Sequence, residues 1–133
     1  MKITDIQVHL CEAGYRNWLF VEIHTDEGVT GVGEGTTEGQ VLTVKARIEE
    51  MGRYLLGKDP RDISLHTQLL TRDPFWVGGY VSGSALAALE MAMWDISGKK
   101  LGVPLWRLWG GRIRDRVRAY ANGWYFGVEG PED

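Results

Sequence analysis

Ser84-Ala-Leu-Ala-Ala-Leu-Glu-Met-Ala-Met-Trp-Asp-Ile-Ser-Gly-Lys-Lys-Leu-Gly-Val-Pro-Leu-Trp-Arg-Leu-Trp-Gly-Gly111 is the stretch whose reading decides the fold. From about residue 83 to residue 100 it is small, apolar on most faces and free of proline. That is the pattern of a helix buried on several sides, and its alanines let neighbouring elements come close. Gly102 is placed to end the helix, and Pro104 follows it. A short Leu/Trp turn comes next, closed by Gly110 and Gly111.

Working outward, the first third of the chain has a different period. Residues 2–11 alternate, with Ile6, Val8 and Leu10 on one face, which predicts a strand. Residues 12–17 read as a loop. Residues 18–24 alternate again, with Leu19, Val21 and Ile23 set against Trp18, Phe20, Glu22 and His24. Thr25-Asp-Glu-Gly28 is a turn in which Gly28 suits a positive φ. Val29 to Glu34 is a third, glycine-interrupted strand. The period then changes: Val41, Val44, Ile48, Met51 and Leu55 recur at three and four residues, one face of a helix. Thr37 and Gln40 have capping-box spacing at its start, and Gly57 is a suitable stop. Asp59 as N-cap with Pro60 at the first helical position predicts a helix running to about Leu70. Residues 117–122 look like one more strand, which has no partner unless it returns to the first sheet or joins a barrel. Strands followed by helices make an α+β pattern, a three-stranded antiparallel meander followed by a helical bundle.

Composition narrows the function. A chain of 133 residues, 44% hydrophobic and 25% charged, is one domain or slightly more and buries a modest core. A net charge of −3 with no Lys/Arg run argues against a nucleic-acid partner. No apolar stretch approaches the ~20 residues of a membrane span. The opening Met1-Lys-Ile-Thr-Asp-Ile-Gln lacks the apolar core of a signal peptide, so a cytoplasmic setting is expected. The lone Cys11, at a strand end, suits a reducing compartment and is expected to be buried and inert. Six tryptophans and eighteen glycines are many for this length; the tryptophans are expected mainly in the core.

Motifs for chemistry are sparse. Gly31-Val-Gly-Glu-Gly35 lies between a strand and a helix, as a dinucleotide loop does, but Glu38 stands where the third glycine belongs. Glu34 and Glu38 would repel a pyrophosphate. Close backbone packing at a strand end is the better reading. His9, His24 and His66 are scattered, so no metal site and no catalytic triad is expected within the chain. Two loops stand out, residues 13–17 leading into Trp18, and Phe75-Trp-Val-Gly-Gly-Tyr80, where aromatics beside paired glycines suit a mobile lid.

Taken in order, several markers resemble the enolase superfamily. They are Met1-Lys-Ile-Thr, Thr25-Asp-Glu-Gly-Val-x-Gly31-x-Gly33-Glu34, Leu56-Gly-Lys-Asp-Pro60 and the Gly78-Gly79 loop. Ala92-Met-Trp-Asp-Ile-x-Gly-Lys99 and Gly102-Val-Pro-Leu-x-x-Leu-x-Gly-Gly111 complete the series. The likeness is to the N-terminal capping domain of the mandelate racemase/muconate lactonizing enzyme group, in its sugar-acid dehydratase branch. It implies a capping domain over residues 1–111 and the first strand of a (β/α) barrel in 112–133. It also implies Mg²⁺-assisted removal of a proton α to a carboxylate, followed by loss of the β-hydroxyl. The metal carboxylates and the acid/base groups of that pattern belong to later barrel strands, so catalytic and metal positions are expected to lie outside this chain. What carries over is substrate capping: Glu38 in the loop after the third strand and Asn122 near the end of the first barrel strand match substrate-contacting positions. Both depart from the residue types of the mannonate dehydratase pattern. Asn17, Trp18, Trp76 and Tyr80 would shape the rest of the lid. The resemblance further implies a small acid-sugar substrate, a homo-oligomer when complete, and no nucleic-acid or membrane partner.

Two alternatives stay open. The chain could cap a racemase or cycloisomerase of the same superfamily. It could also be a non-catalytic, stand-alone binding domain, in which case Trp106, Leu108, Trp109, Tyr120, Trp124, Tyr125 and Phe126 need a home within one small fold.

Overall fold

In the computed structural model the described residues are 1–14, 16–72, 78–123, 127, 129 and 130. The sheet is organised around its middle strand. β2 (Arg16–Thr25) puts Leu19, Val21 and Ile23 on one face, each fully buried. Burial of this kind is worth roughly 2 kcal/mol per side chain. The opposite face carries Trp18 and Phe20, whose rings stack at 6.2 Å. β1 (Ile3–Ala13) and β3 (Thr30–Glu34) flank it antiparallel in the order β1-β2-β3, the expected meander. The first hairpin is tighter than the loop expected over 12–17. Pairing continues to Ala13 opposite Arg16, because Gly14 turns the chain at φ +72°. In the second turn Gly28 has φ +74°, and the Thr25 hydroxyl both donates to Val29 C=O and accepts from Val29 N–H.

Among the described residues four helices follow: α1 (Val41–Leu55), α2 (Ile63–Arg72), α3 (Tyr80–Leu101) and the single turn α4 (Leu105–Leu108). α1 buries Val44, Ile48, Met51 and Leu55, as the periodicity requires. The expected capping box does not form. α1 begins only at Val41 with Gln40 in the cap position, so the Thr37 hydroxyl oxygen accepts from no helix N–H, and its hydrogen goes to Ser84 Oγ at 2.9 Å. Residues after α1 make a tight turn through Gly57 (φ +76°), which returns Lys58 N–H to Leu55 C=O. The same turn also bonds both backbone groups of Ile3. Asp59 and Pro60 lie in a turn ahead of α2, not in its first residues. The Asp59 carboxylate accepts from Arg61 N–H and from the Arg61 guanidinium, so its acceptors are engaged before the helix starts.

α3 packs against β3, β2, α1, α2 and α4, and it buries Ala85, Ala88, Leu89, Ala92, Met93, Ile96 and Gly98. Its approach to β3 is backbone to backbone. A Cβ on Gly33 would sit 2.0 Å from the Ala88 carbonyl oxygen, and one on Gly31 would sit 2.0 Å from that of Ala92. The glycine cluster between strand and helix is thus close packing, as read from the sequence. α3 also closes the open edge of β3: Asp95 Oδ2 accepts from Val32 N–H, and Lys99 Nζ donates to Thr30 C=O. Gly102 ends α3 in the left-handed conformation, as expected.

Three expectations are corrected. Residues 117–122 form no strand; the segment is exposed and pairs with none of the three described strands. Cys11 is exposed because strand alternation turns it to the outer face of the sheet, opposite Trp18, while Ile6, Val8 and Leu10 take the helix-facing side. The tryptophans are not mainly core: Trp18, Trp106 and Trp109 are exposed and Trp94 is only partly buried. Packing to a backbone-close standard uses alanine and glycine, which leaves the indoles at the margins.

Two outcomes follow for stability. Gly33→Ala is expected to cost at least about 3 kcal/mol, since a rigid carbonyl must move. Gly83→Ala, in the first turn of α3 with open space around it, is expected to gain about 0.5 kcal/mol. Thermal unfolding of the two variants reads the contrast. The second outcome concerns acid. The Arg61 guanidinium holds the Asp59 carboxyl well below the usual carboxylate range. A depressed carboxyl contributes stability above its unfolded pKa of about 4, and that contribution is lost as pH falls further. Because the pair is solvent-screened, Asp59→Asn should remove no more than about 0.5 kcal/mol at neutral pH, and nothing once the carboxyl is protonated. Denaturant titrations at neutral and strongly acid pH check this.

Candidate functional site

The candidate site lies where the sheet narrows. β3 ends opposite Phe20, so beyond Leu19 the sheet is only the β1–β2 ribbon. The chain leaving β3 is tied to the base of that ribbon. Gly35 N–H donates to Leu19 C=O at 3.0 Å, and Leu19 N–H donates to the Thr36 hydroxyl at 3.0 Å. One residue on, Thr37 is held to Ser84 of α3. Gly35 must be small: a Cβ would lie 3.1 Å from Ala88 Cβ and 3.3 Å from Leu19 Cδ2. These ties project Glu38 towards the hairpin tip, where its Oε1 pairs with Arg16 Nη1 at 2.5 Å. Gly39, at φ +72°, then turns the chain into α1.

The result is an open groove of about 690 Å³ whose polar lining comes from Arg16, Asn17, Glu38, Gln40 and Thr43. It offers one guanidinium, one carboxylate, two amides and a hydroxyl. That set matches a polyhydroxylated, charged small molecule, with donors and acceptors for hydroxyls on several sides. Among the described residues no group of three or more His, Cys, Asp or Glu could hold a metal ion. The resemblance implies Mg²⁺, but these residues do not fit it.

The expected site residues separate into groups. Glu38 and Asn17 are brought together in the groove. Trp18 is not part of its lining; it lies on the outer face of the sheet against Phe20. Tyr80 is exposed at the start of α3, one turn before Ser84. Asn122 is exposed, in a segment without regular structure, and does not line the groove. Trp76 lies outside the described residues. The salt bridge from Arg16 to Glu38 and the groove positions of Gln40 and Thr43 were missed as site features. Opposite charges beside glycines in two adjacent turns were the available signal for the first.

A second surface is apolar. Leu101, Trp106, Trp109, Ile113, Val117 and Tyr120 are exposed, with Ile113 at 94% and Tyr120 at 84%. Arg107 and Arg112 both lie over the Trp106 ring. Of the groups expected to need a home, Trp109 meets Trp94 edge to face at 6.0 Å and Leu108 is half-buried, Trp106 and Tyr120 stay exposed, and Trp124, Tyr125 and Phe126 lie outside the described residues. No helix among the described residues is long and apolar enough to cross a membrane.

Comparison with known proteins agrees with this geometry. A D-galactonate dehydratase of Variovorax paradoxus (strain S110) is 44% identical over all of this chain, which covers 33% of that protein. The chain spans about a third of the length of the curated relatives it matches. A Mesorhizobium loti crystal structure superposes with a TM-score of 0.92 at 42% identity, covering 99% of this chain and 36% of that one. An enolase from Pantoea ananatis with bound D-gluconate and Mg superposes with a TM-score of 0.81 at 35% identity, covering 86% of this chain and 28% of that one. Residues 2–110 match the mandelate racemase / muconate lactonizing enzyme N-terminal domain, and the chain belongs to that family of the enolase superfamily.

Proposed function

We propose that this chain is the capping portion of a sugar-acid dehydratase and that its groove recognises the hydroxyl-bearing end of the substrate. The observation that carries the reading is the 44% identity with a D-galactonate dehydratase along the whole chain. The polar, amide-rich groove supports it, because a sugar acid presents hydroxyls that need both donors and acceptors. In this reading residues 1–111 are the cap and residues 112–133 begin the barrel. The apolar surface from Leu101 to Tyr120 also supports the division, since a patch of that kind calls for a covering structure. A stand-alone binding domain would leave it wet.

The division of labour follows from the residues. Removal of a proton α to a carboxylate and expulsion of a β-hydroxyl need a strong electrostatic partner and an acid. The groove holds neither a metal-binding cluster nor a histidine. The chain's share is therefore binding and orientation, through Glu38 and Asn17, with Asn122 joining them once the barrel strand is formed. Mg²⁺ would belong to the complete enzyme.

The intact mass of the protein from its native source comes first, and a value about three times the 15.0 kDa of this chain is expected from the relatives' length. The complete protein should then convert at least one of galactonate, gluconate or mannonate to its dehydrated keto acid with Mg²⁺ present. Glu38→Ala and Asn122→Ala should each raise KM or change the preferred acid by about tenfold while changing kcat less. Wild-type kinetics in both variants would overturn the assignment of these residues. No keto acid from any substrate of the panel would overturn the dehydratase reading.

A further inference from the structure

The tip of the β1–β2 ribbon is the least supported part of the sheet. From Leu10 to Gly14 every residue is exposed, and β3 ends before reaching it. A two-stranded ribbon is marginal in water by itself. Beyond Leu19, the ion pair of Arg16 with Glu38 ties this tip to the loop after β3. Glu38, by contrast, extends from a loop whose base is fixed to Leu19 and to Ser84. The anchoring is asymmetric: a fixed loop meets a marginal ribbon at a pair of opposite charges. Such a pair adds little to global stability. Its leverage is local, because the opening of a marginal segment responds to small free-energy changes.

Charge gives the pair a second consequence. Two formal charges meet at the groove, and they cancel. A lone carboxylate there would repel an anionic ligand, whereas a compensated one can still accept hydrogen bonds from hydroxyls.

We propose that Arg16 and Glu38 form a charge-compensated clasp that holds the hairpin tip at the groove and lets Glu38 take substrate hydroxyls without repelling the substrate's carboxylate. Arg16 is then a positioning residue acting through Glu38. The part that concerns an anionic substrate rests on the sugar-acid reading above; the mechanical part does not.

The test uses the complete protein carrying this chain, with Arg16→Ala, Glu38→Ala and the double variant. Amide hydrogen exchange reads the mechanics. Either single change should speed exchange across residues 10–18 by about fivefold, and the double variant should add nothing further. Unchanged exchange in Glu38→Ala, where the hairpin itself is untouched, overturns the clasp. Kinetics on the accepted sugar acid read the charge. Arg16→Ala leaves a bare carboxylate at the groove and should raise KM well beyond the roughly tenfold expected of Glu38→Ala, with kcat within about twofold, and removing Glu38 as well should bring KM back down to the Glu38→Ala value. A double variant with KM at or above that of Arg16→Ala overturns the compensation. If the wild-type protein dehydrates no sugar acid, the sugar-acid reading and its charge corollary fall together, while the exchange result still decides the clasp.

Discussion

The structure depends on the contact between the β3 backbone and the α3 backbone. Gly31 and Gly33 face the carbonyls of Ala92 and Ala88 with no room for a methyl group. That approach sets the height of the helical layer above the sheet. It brings Ala88 against Gly35 and Ser84 within reach of Thr37, which fixes the loop that carries Glu38. A larger residue at Gly33 would therefore strain the core and displace the groove together. Fold and site share one constraint.

The same closeness explains the composition of α3. A helix that touches the sheet, α1, α2 and α4 can hold few polar residues, and those it holds have work at the edges. Asp95 and Lys99, one turn apart, bond each other and satisfy β3 backbone groups that no further strand reaches. On the other side of the sheet, the turn at Gly57 closes the start of β1. The remainder of β1 is left open, so the hairpin tip extends past the core with little to hold it. The core stops short of the tip, and the tip borders the groove for the same reason.

Function divides along similar lines. The groove is polar, open and built from segments that leave strands or enter a helix. The apolar surface around Trp106, Trp109 and Tyr120 is at the other chemical extreme and extends from the end of α3 into the segment without regular structure.

Much of the fold was legible in the sequence because it is written in period. The alternation of Leu19, Val21 and Ile23, the helical spacing of Val44, Ile48, Met51 and Leu55, and the small residues of α3 each specify a local geometry and a buried face. Gly28, Gly57 and Gly102 marked turns that only a positive φ completes. Helix starts were less legible: Thr37 and Asp59 are good caps by type, but Ser84 and Arg61 engaged their side chains first. Of the site, Glu38 and Asn17 could be named from resemblance, and tertiary structure placed them in one groove. Trp18 left the groove because strand alternation turns it to the outer face, next to the buried Leu19. Cys11 is turned to that same outer face by the same alternation, and the pairing of Arg16 with Glu38 depended on which turn lies beside which. Sequence by itself determined the elements and their buried faces, because these follow from nearest neighbours along the chain. Only the tertiary structure decided which loops meet and which surfaces stay uncovered, because those depend on distances between segments that no local pattern encodes.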